Sequence, residues 1–234
     1  MKFNIYILFL IFVLRVEYTL AQSITVSYAT RYVLPLNKML SNKMTGISIG
    51  GLKKMNAFER PRIYYYHDGK SVYRWLDIEN PSLEVDGEKF NATQNILPVF
   101  FKDFAQNKMH IVDMKNDSMT AAKVNMDEFL SWEILEDTKV ILGHLCRKAI
   151  SHKDGTMVEA WFAKDIGIMD GPEIYFGLPG LILEVKTGVI VTRAVKITLN
   201  EISDDQVKLP IFANYITYEQ YLKERKVYGG VGRK

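Results

Sequence analysis

Hydrophobic and polar residues alternate with a period of two along most of this chain, and the helical period is rare. Ile24–Val33 alternates loosely, and Arg62–His67 carries three consecutive tyrosines. Asp68-Gly69 then reads as a tight hairpin turn into Ser71–Ile78. Asp86-Gly87 turns the chain between Ser82–Val85 and Glu88–Phe90. Further strands are expected at Lys108–Lys115, Ala122–Met126, Ser131–Leu135, Thr138–His144, Cys146–His152, Thr156–Ala163, Leu181–Thr187 and Val189–Leu199. Asp154-Gly155 and Thr187-Gly188 sit at hairpin positions. Many short strands with closely spaced turns predict a mainly β protein: an antiparallel curved sheet, partial barrel or sandwich.

Helix signals are few. Thr217 and Gln220 have the spacing of a capping box, and the basic residues of 223–226 suit a helix end, so a short C-terminal helix is expected from Tyr218. Asn37–Met55 lacks a clean period and reads as a loop with room for one helical turn, and the glycine-rich Tyr228–Lys234 reads as a frayed tail. There is no repeat and no Pro/Ser linker, so residues 22–234 are expected to form one β-rich domain.

Residues 1–21 have the pattern of a secretory signal peptide. Lys2 precedes an unbroken apolar run, Ile5–Leu14, and Thr19-Leu20-Ala21 supplies small residues around a cut after Ala21. As a helix, ten residues span about 15 Å, half of a bilayer's hydrocarbon core. The expectation is therefore an exported protein, with no membrane span in the mature chain. No cysteine follows the leader to carry a lipid, so a lipoprotein is not expected.

Composition narrows the class. Hydrophobic residues are 48% and charged residues 24%, which excludes disorder and coiled coil. Lys+Arg number 30 against 27 Asp+Glu, a balance that gives no signal for nucleic acid. One cysteine excludes an internal disulfide framework and any multi-cysteine metal site.

Candidate chemistry is sparse. There is no Gly-x-Ser-x-Gly elbow. Cys146 lies two residues from His144, so on a strand both would point to one face and could act as nucleophile and base. The competing reading makes Cys146 a small buried hydrophobe. His144, Cys146 and His152 are candidate N, S and N ligands for copper or zinc, but their spacing fits no standard zinc pattern, and neither metal nor cofactor is expected. His67 and His110 are isolated. Carboxylate pairs cannot be ranked from sequence, and Gly46–Gly51 lacks the ending of a phosphate loop. The aromatics of Arg62–Arg74 suit either ring stacking on a sugar or packing within a hairpin. Asn91-Ala-Thr93 and Asn116-Asp-Ser118 are glycosylation sequons, and Asp117-Ser-Met119 has the form of a short O-glycosylation signal.

The least random stretch is Trp161–Val185. Gly171-Pro172 breaks the chain, and Gly177-Leu178-Pro179-Gly180 has the composition of a type II turn, with Pro179 at one corner and positive φ expected at Gly180. Leu178 is expected to plug a core, and Leu181-Ile182 to open a central strand. The run Gly177-Leu178-Pro179-Gly180-Leu181-Ile182 resembles the GLPGLI family of exported Bacteroidetes proteins. Trp132, Ile141–Gly143, Cys146–Ala149, Trp161-Phe162 and Gly171-Pro172 resemble its other landmarks. That resemblance implies export to the periplasm and company with TonB-dependent outer-membrane receptors. It implies no established activity and no catalytic residues. The expected function is thus a periplasmic or outer-membrane-associated binding or accessory protein, with an outer-membrane or periplasmic protein or an apolar ligand as partner. The alternatives are a hydrolase acting on glycans or peptides, and a copper- or zinc-handling protein.

Overall fold

The computed structural model of the chain describes residues 23–36, 48–76, 82–91, 98–115, 118–127, 129–153, 155–212 and 214–229. The leader, most of the 37–55 loop, parts of both sequons and the end of the tail lie outside the described residues.

Fourteen strands are described: β1 (Ile24–Tyr32), β2 (Arg60–His67), β3 (Lys70–Trp75), β4 (Ser82–Val85), β5 (Glu88–Asn91), β6 (Val99–Asp103), β7 (Lys108–Lys115), β8 (Ser118–Asn125), β9 (Glu133–Ile141), β10 (His144–Lys153), β11 (Thr156–Ala163), β12 (Leu181–Thr187), β13 (Ile190–Leu199) and β14 (Tyr215–Thr217). The helices are α1 (Ile49–Ala57), α2 (Asp204–Val207) and α3 (Tyr218–Gly229). Twelve strands form one open sheet in the order β14-β8-β7-β6-β3-β2-β1-β13-β12-β11-β10-β9, while β4 and β5 pair separately. The protein is therefore mainly β and predominantly antiparallel, neither a closed barrel nor two stacked sheets. One pairing departs from the antiparallel expectation: β14 runs parallel to β8.

The period of two sets the layers. In β1 the core side chains are Ile24, Val26 and Tyr28, every second residue. Their cluster takes in Tyr64, Tyr73, Met109, Ile111, Val124, Ile141, Cys146, Trp161, Leu181 and Leu183 from eight further strands, so the sheet curves around one interior. Three tyrosines fill its middle, with ring centroids of Tyr28 lying 6.3 Å from Tyr64 and 5.9 Å from Tyr73 in edge-on contact. The outer face carries two smaller clusters. Val72, Ile202 and Val207 seat α2, and Phe162, Leu178, Ile182 and Val185 pack under the connection from β11 to β12.

Several boundaries differ from expectation for local reasons. Between 131 and 144 there is one strand instead of two, Glu133–Ile141, which pairs with β10 across a bulge at Arg147/Ala149, while His144 opens β10 itself. Strand β6 was not anticipated: Val99-Phe-Phe-Lys-Asp is short, and its fourth residue is charged. The 37–55 loop ends in α1, where the Ser48 side chain accepts a hydrogen bond from Gly51 N at 2.9 Å. At the C-terminus Thr217 N donates to Gln220 Oε1 at 2.8 Å, and Gln220 N donates to Thr217 Oγ1 at 3.2 Å, closing the capping box of α3.

Candidate functional site

The long connection from β11 to β12, residues 164–180, carries a buried polar network centred on Asp170. Its return into the sheet is close-packed. A Cβ on Gly180 (φ +153°) would lie 2.2 Å from the Ala163 carbonyl oxygen, and one on Gly171 would lie 2.6 Å from Ile182 Cβ. The turn differs from the type II expectation. Gly180 N donates to the Leu178 carbonyl at 2.8 Å, a three-residue bond centred on Pro179, and the other positive φ is at Gly177 (+88°). Leu178 is 1% exposed, and Leu181 and Ile182 are fully buried. Trp132 Nε1 donates to the Phe176 carbonyl at 2.8 Å.

Asp170, in the middle of this connection, is fully buried and fully engaged. Its Oδ2 accepts from Tyr64 Oη at 2.9 Å and Ser71 Oγ at 2.5 Å, and its Oδ1 accepts from Lys102 Nζ at 2.5 Å and Gly171 N at 2.7 Å. Lys102 Nζ also donates to the Gly171 carbonyl at 2.8 Å. Burial pulls the Lys102 pKa down, and Asp170 pushes back against that shift. One carboxylate thus ties β2, β3 and β6 to a connection that belongs to the other half of the sheet.

Three residues further on, Glu173 (φ +52°) helps line a 270 Å³ mouth at one end of the concave face. The other lining residues include Thr30, Arg31 and Tyr32 from β1, Arg60 and Arg62 from β2, Tyr73 from β3 and Phe100 from β6. The guanidinium of Arg62 lies 3.3 Å from the centroid of the Trp75 ring, and that of Arg60 lies 4.7 Å from Tyr32. Arg62 is 6% exposed and Tyr73 2% exposed. Arg62 Nη1 and Tyr73 Oη lie near each other, and Tyr73 near Thr30 and Thr192, but neither they nor the nearby Trp75 Nε1 make a hydrogen bond of good geometry. Burial drives the Tyr73 pKa up and the Arg62 pKa down.

The residues singled out for metal chemistry do not converge. His144 Nδ1 lies 2.6 Å from Asp165 Oδ2 at the surface. Cys146 is fully buried, its thiol pushed up to about 11 chiefly by burial. His152 is exposed near the far end of β10, six residues from Cys146 and thus roughly 20 Å along the strand. Among the described residues no group of three or more His, Cys, Asp and Glu is placed to hold a metal ion. A second, polar cleft of 560 Å³ is lined by Asp103, Asp204, Asp205, His110 and Lys208, but the Asp204 and Asp205 side chains are 90% and 86% exposed. The aromatic Arg62–Arg74 hairpin places Tyr64 and Tyr73 in the core.

Sequence reasoning passed over Asp170, Lys102 and the arginine mouth. The available signal was a single Lys within the apolar β6 and a single Asp between Met169 and Gly171, but no spacing rule joins residues 68 positions apart.

The fold and site define a mainly β protein with one curved open sheet and a polar mouth at its rim. A family model described as "Protein of unknown function (Porph_ging)" matches residues 150–184, a stretch that contains the Gly177–Ile182 run. None of the curated proteins matches the chain. Two solved structures of PNGF-II, in space groups C2 and P21, share the fold with TM-scores of 0.59 and 0.57 at 16% and 18% identity. Each alignment covers 87% of this chain but only about a third of the PNGF-II chain (32% and 33%), and at that identity the likeness is one of fold. Among the described residues no helix is long and apolar enough to cross a membrane.

Proposed function

We propose that this chain is an exported binding module of the GLPGLI type, without chemistry of its own, and that its ligand seats in the mouth beside Glu173. The observation that carries the reading is the contrast between a filled interior and an open rim. Tyr28, Tyr64 and Tyr73 occupy the middle of the concave face, and the 270 Å³ opening lies at its end. That volume is at the small end of the usual range for ligand pockets, about 300–1,000 Å³. Glycoside hydrolysis normally calls for two carboxylates at the reacting centre, and among the described residues Glu173 is the one acidic residue lining the mouth. The thiol of Cys146 is buried, and burial pushes it up to about 11, which disfavours the nucleophilic thiolate. The residues of the Gly177–Ile182 run make turns and fill cores, consistent with a family defined by architecture. An outer-membrane transport partner is part of the same reading and rests on the family resemblance alone.

The test is native mass spectrometry of the protein isolated from its host under non-denaturing conditions. Wild type is expected to retain a small molecule. Ile190→Trp, which builds a large ring at the exposed rim of the mouth, is expected to lose it. Retention by both proteins, or by neither, overturns the assignment.

A further inference from the structure

The mouth has a chemical polarity that its volume alone does not convey. Buried polar groups are nearly always hydrogen-bonded, because leaving a donor unsatisfied away from water is costly. Here two donors that lack a hydrogen bond of good geometry share one patch: Arg62 Nη1 and Tyr73 Oη, both on residues more than nine-tenths buried, both lining the opening, and near enough to each other and to Thr30 and Thr192 to interact weakly. Their placement follows from the β2–β3 register. Arg62 pairs with Trp75, and Tyr64 with Tyr73, so Arg62 and Tyr73 are diagonal neighbours on the concave face. Trp75 Nε1, beneath the Arg62 guanidinium, is a third donor without a partner. The lining holds three arginines, Arg31, Arg60 and Arg62, against the one carboxylate of Glu173. Poorly satisfied donors and cations in excess of the one carboxylate suit an anionic oxygen group. Tyr32, Tyr73 and Phe100 provide aromatic wall around it, suited to an apolar or flat body carrying that anion.

Resting on the reading of the mouth as the ligand seat, we infer that it takes a small carboxylate with a flat apolar body, the carboxylate accepting from Arg62 and Tyr73. A monoanion fits better than a phosphoryl dianion because Glu173 shares the lining and would repel the second charge. Arg62 is the specificity residue. Its guanidinium sits 3.3 Å from the centroid of the Trp75 ring, a contact that holds it in place before the ligand arrives. Arg31 and Arg60 add field at the rim.

The experiment is calorimetric titration of the protein with benzoate, benzamide and inorganic phosphate in low salt. Benzoate is expected to bind at least tenfold more tightly than benzamide, which has the same ring without the charge, and more tightly than phosphate. Arg62→Gln is expected to lose at least tenfold for benzoate, with Arg62→Lys intermediate. Tyr73→Phe keeps the ring and removes the hydroxyl, so it guards against simple misfolding, and it is expected to lose a few-fold. Equal binding of benzoate and benzamide, or unchanged affinity in folded Arg62→Gln and Tyr73→Phe, overturns the carboxylate while leaving the mouth as a seat. Tighter phosphate binding reassigns the anion to a phosphoryl group and likewise overturns it. No binding of any probe, together with a ligand-free native mass spectrum, removes both the anion and the seat.

Discussion

Replacing Lys102 by Met tests whether the buried pair holds the two halves of the sheet together. The Lys102 and Asp170 side chains are 1% and 0% exposed, with a 2.5 Å Nζ–Oδ1 contact. Methionine fills a similar volume but deletes the charge, leaving Asp170 with three donors and no cation, and leaving the Gly171 carbonyl without its donor. Removing one partner of a buried pair typically costs about 3–5 kcal/mol. For a chain of this size each kcal/mol shifts Tm by about 2–4 °C, so the expected drop is on the order of 6–20 °C. Asp170→Leu should cost at least as much, since it orphans Tyr64 Oη, Ser71 Oγ and Gly171 N as well as the lysine. The double variant should be less destabilised than the sum of the two singles by about 2–3 kcal/mol, because neither charge is then left alone. The assay is urea unfolding followed by tryptophan fluorescence on all four proteins. A Lys102→Met loss below about 1 kcal/mol, or strictly additive singles, would refute the argument that this pair is a structural clamp.

Four further outcomes follow from the geometry. Gly180→Val should cost at least the roughly 1–3 kcal/mol of a sparsely populated backbone region, because its Cβ would meet the Ala163 carbonyl, and Leu178→Ala should cost about 2–5 kcal/mol; thermal melts of both variants check this. Cys146, with its thiol pushed up to about 11 and fully buried, should react with a thiol reagent slowly in native buffer and fast in denaturant, and rapid native labelling would contradict its placement. Stability should fall steeply above about pH 10. Tyr28, Tyr64, Tyr66, Tyr73 and Tyr175 all have raised pKa values in the fold, so the stability they contribute is present below the unfolded value and is lost as pH rises through the folded ones. Lys102 acts with the opposite sign, its lowered pKa adding stability as pH rises towards about 10.4, but it is one proton against five; pH-dependent urea midpoints with tyrosinate absorbance decide. Mass spectrometry of the exported protein should show Gln22 as the first residue, and an intact 1–21 segment would remove the signal-peptide reading.

What the residue pattern could disclose was local. Lys108–Lys115, Thr156–Ala163 and Leu181–Thr187 emerge with the anticipated bounds because alternation and flanking turns are properties of neighbouring residues. Strand β6 escaped because Lys102, which looks like a break in a short apolar run, is satisfied by Asp170 from the distant connection. Strand β14, three residues long, exists through its parallel pairing with Ala121–Lys123 and has little pattern of its own. His144 and Cys146 illustrate the limit of face-sharing arguments. Both lie on β10 two residues apart, yet one meets Asp165 at the surface and the other enters the core, with its sulfur directed to the His144 carbonyl at 3.5 Å. The mouth was hidden for the same reason as β6, since its arginines come from β1 and β2 and its carboxylate from residue 173.

The place of β1 in the sheet has a kinetic consequence. The first described strand lies between β2, its near neighbour in sequence, and β13, whose partners for Ile24 and Tyr32 are Leu199 and Ile190. A chain emerging from its N-terminus can therefore complete one side of β1 early, while the other side stays open until almost the whole domain has appeared. During that interval the unpaired edge of an apolar strand is a template for wrong partners. The late contacts, Tyr28 Oη to the Ile182 carbonyl and Lys102 to Asp170, close loops of 154 and 68 residues. Such closures are slow to find, and the sheet is expected to fold as two halves that dock last along the β1–β13 seam, making the N-terminal half the aggregation-prone intermediate.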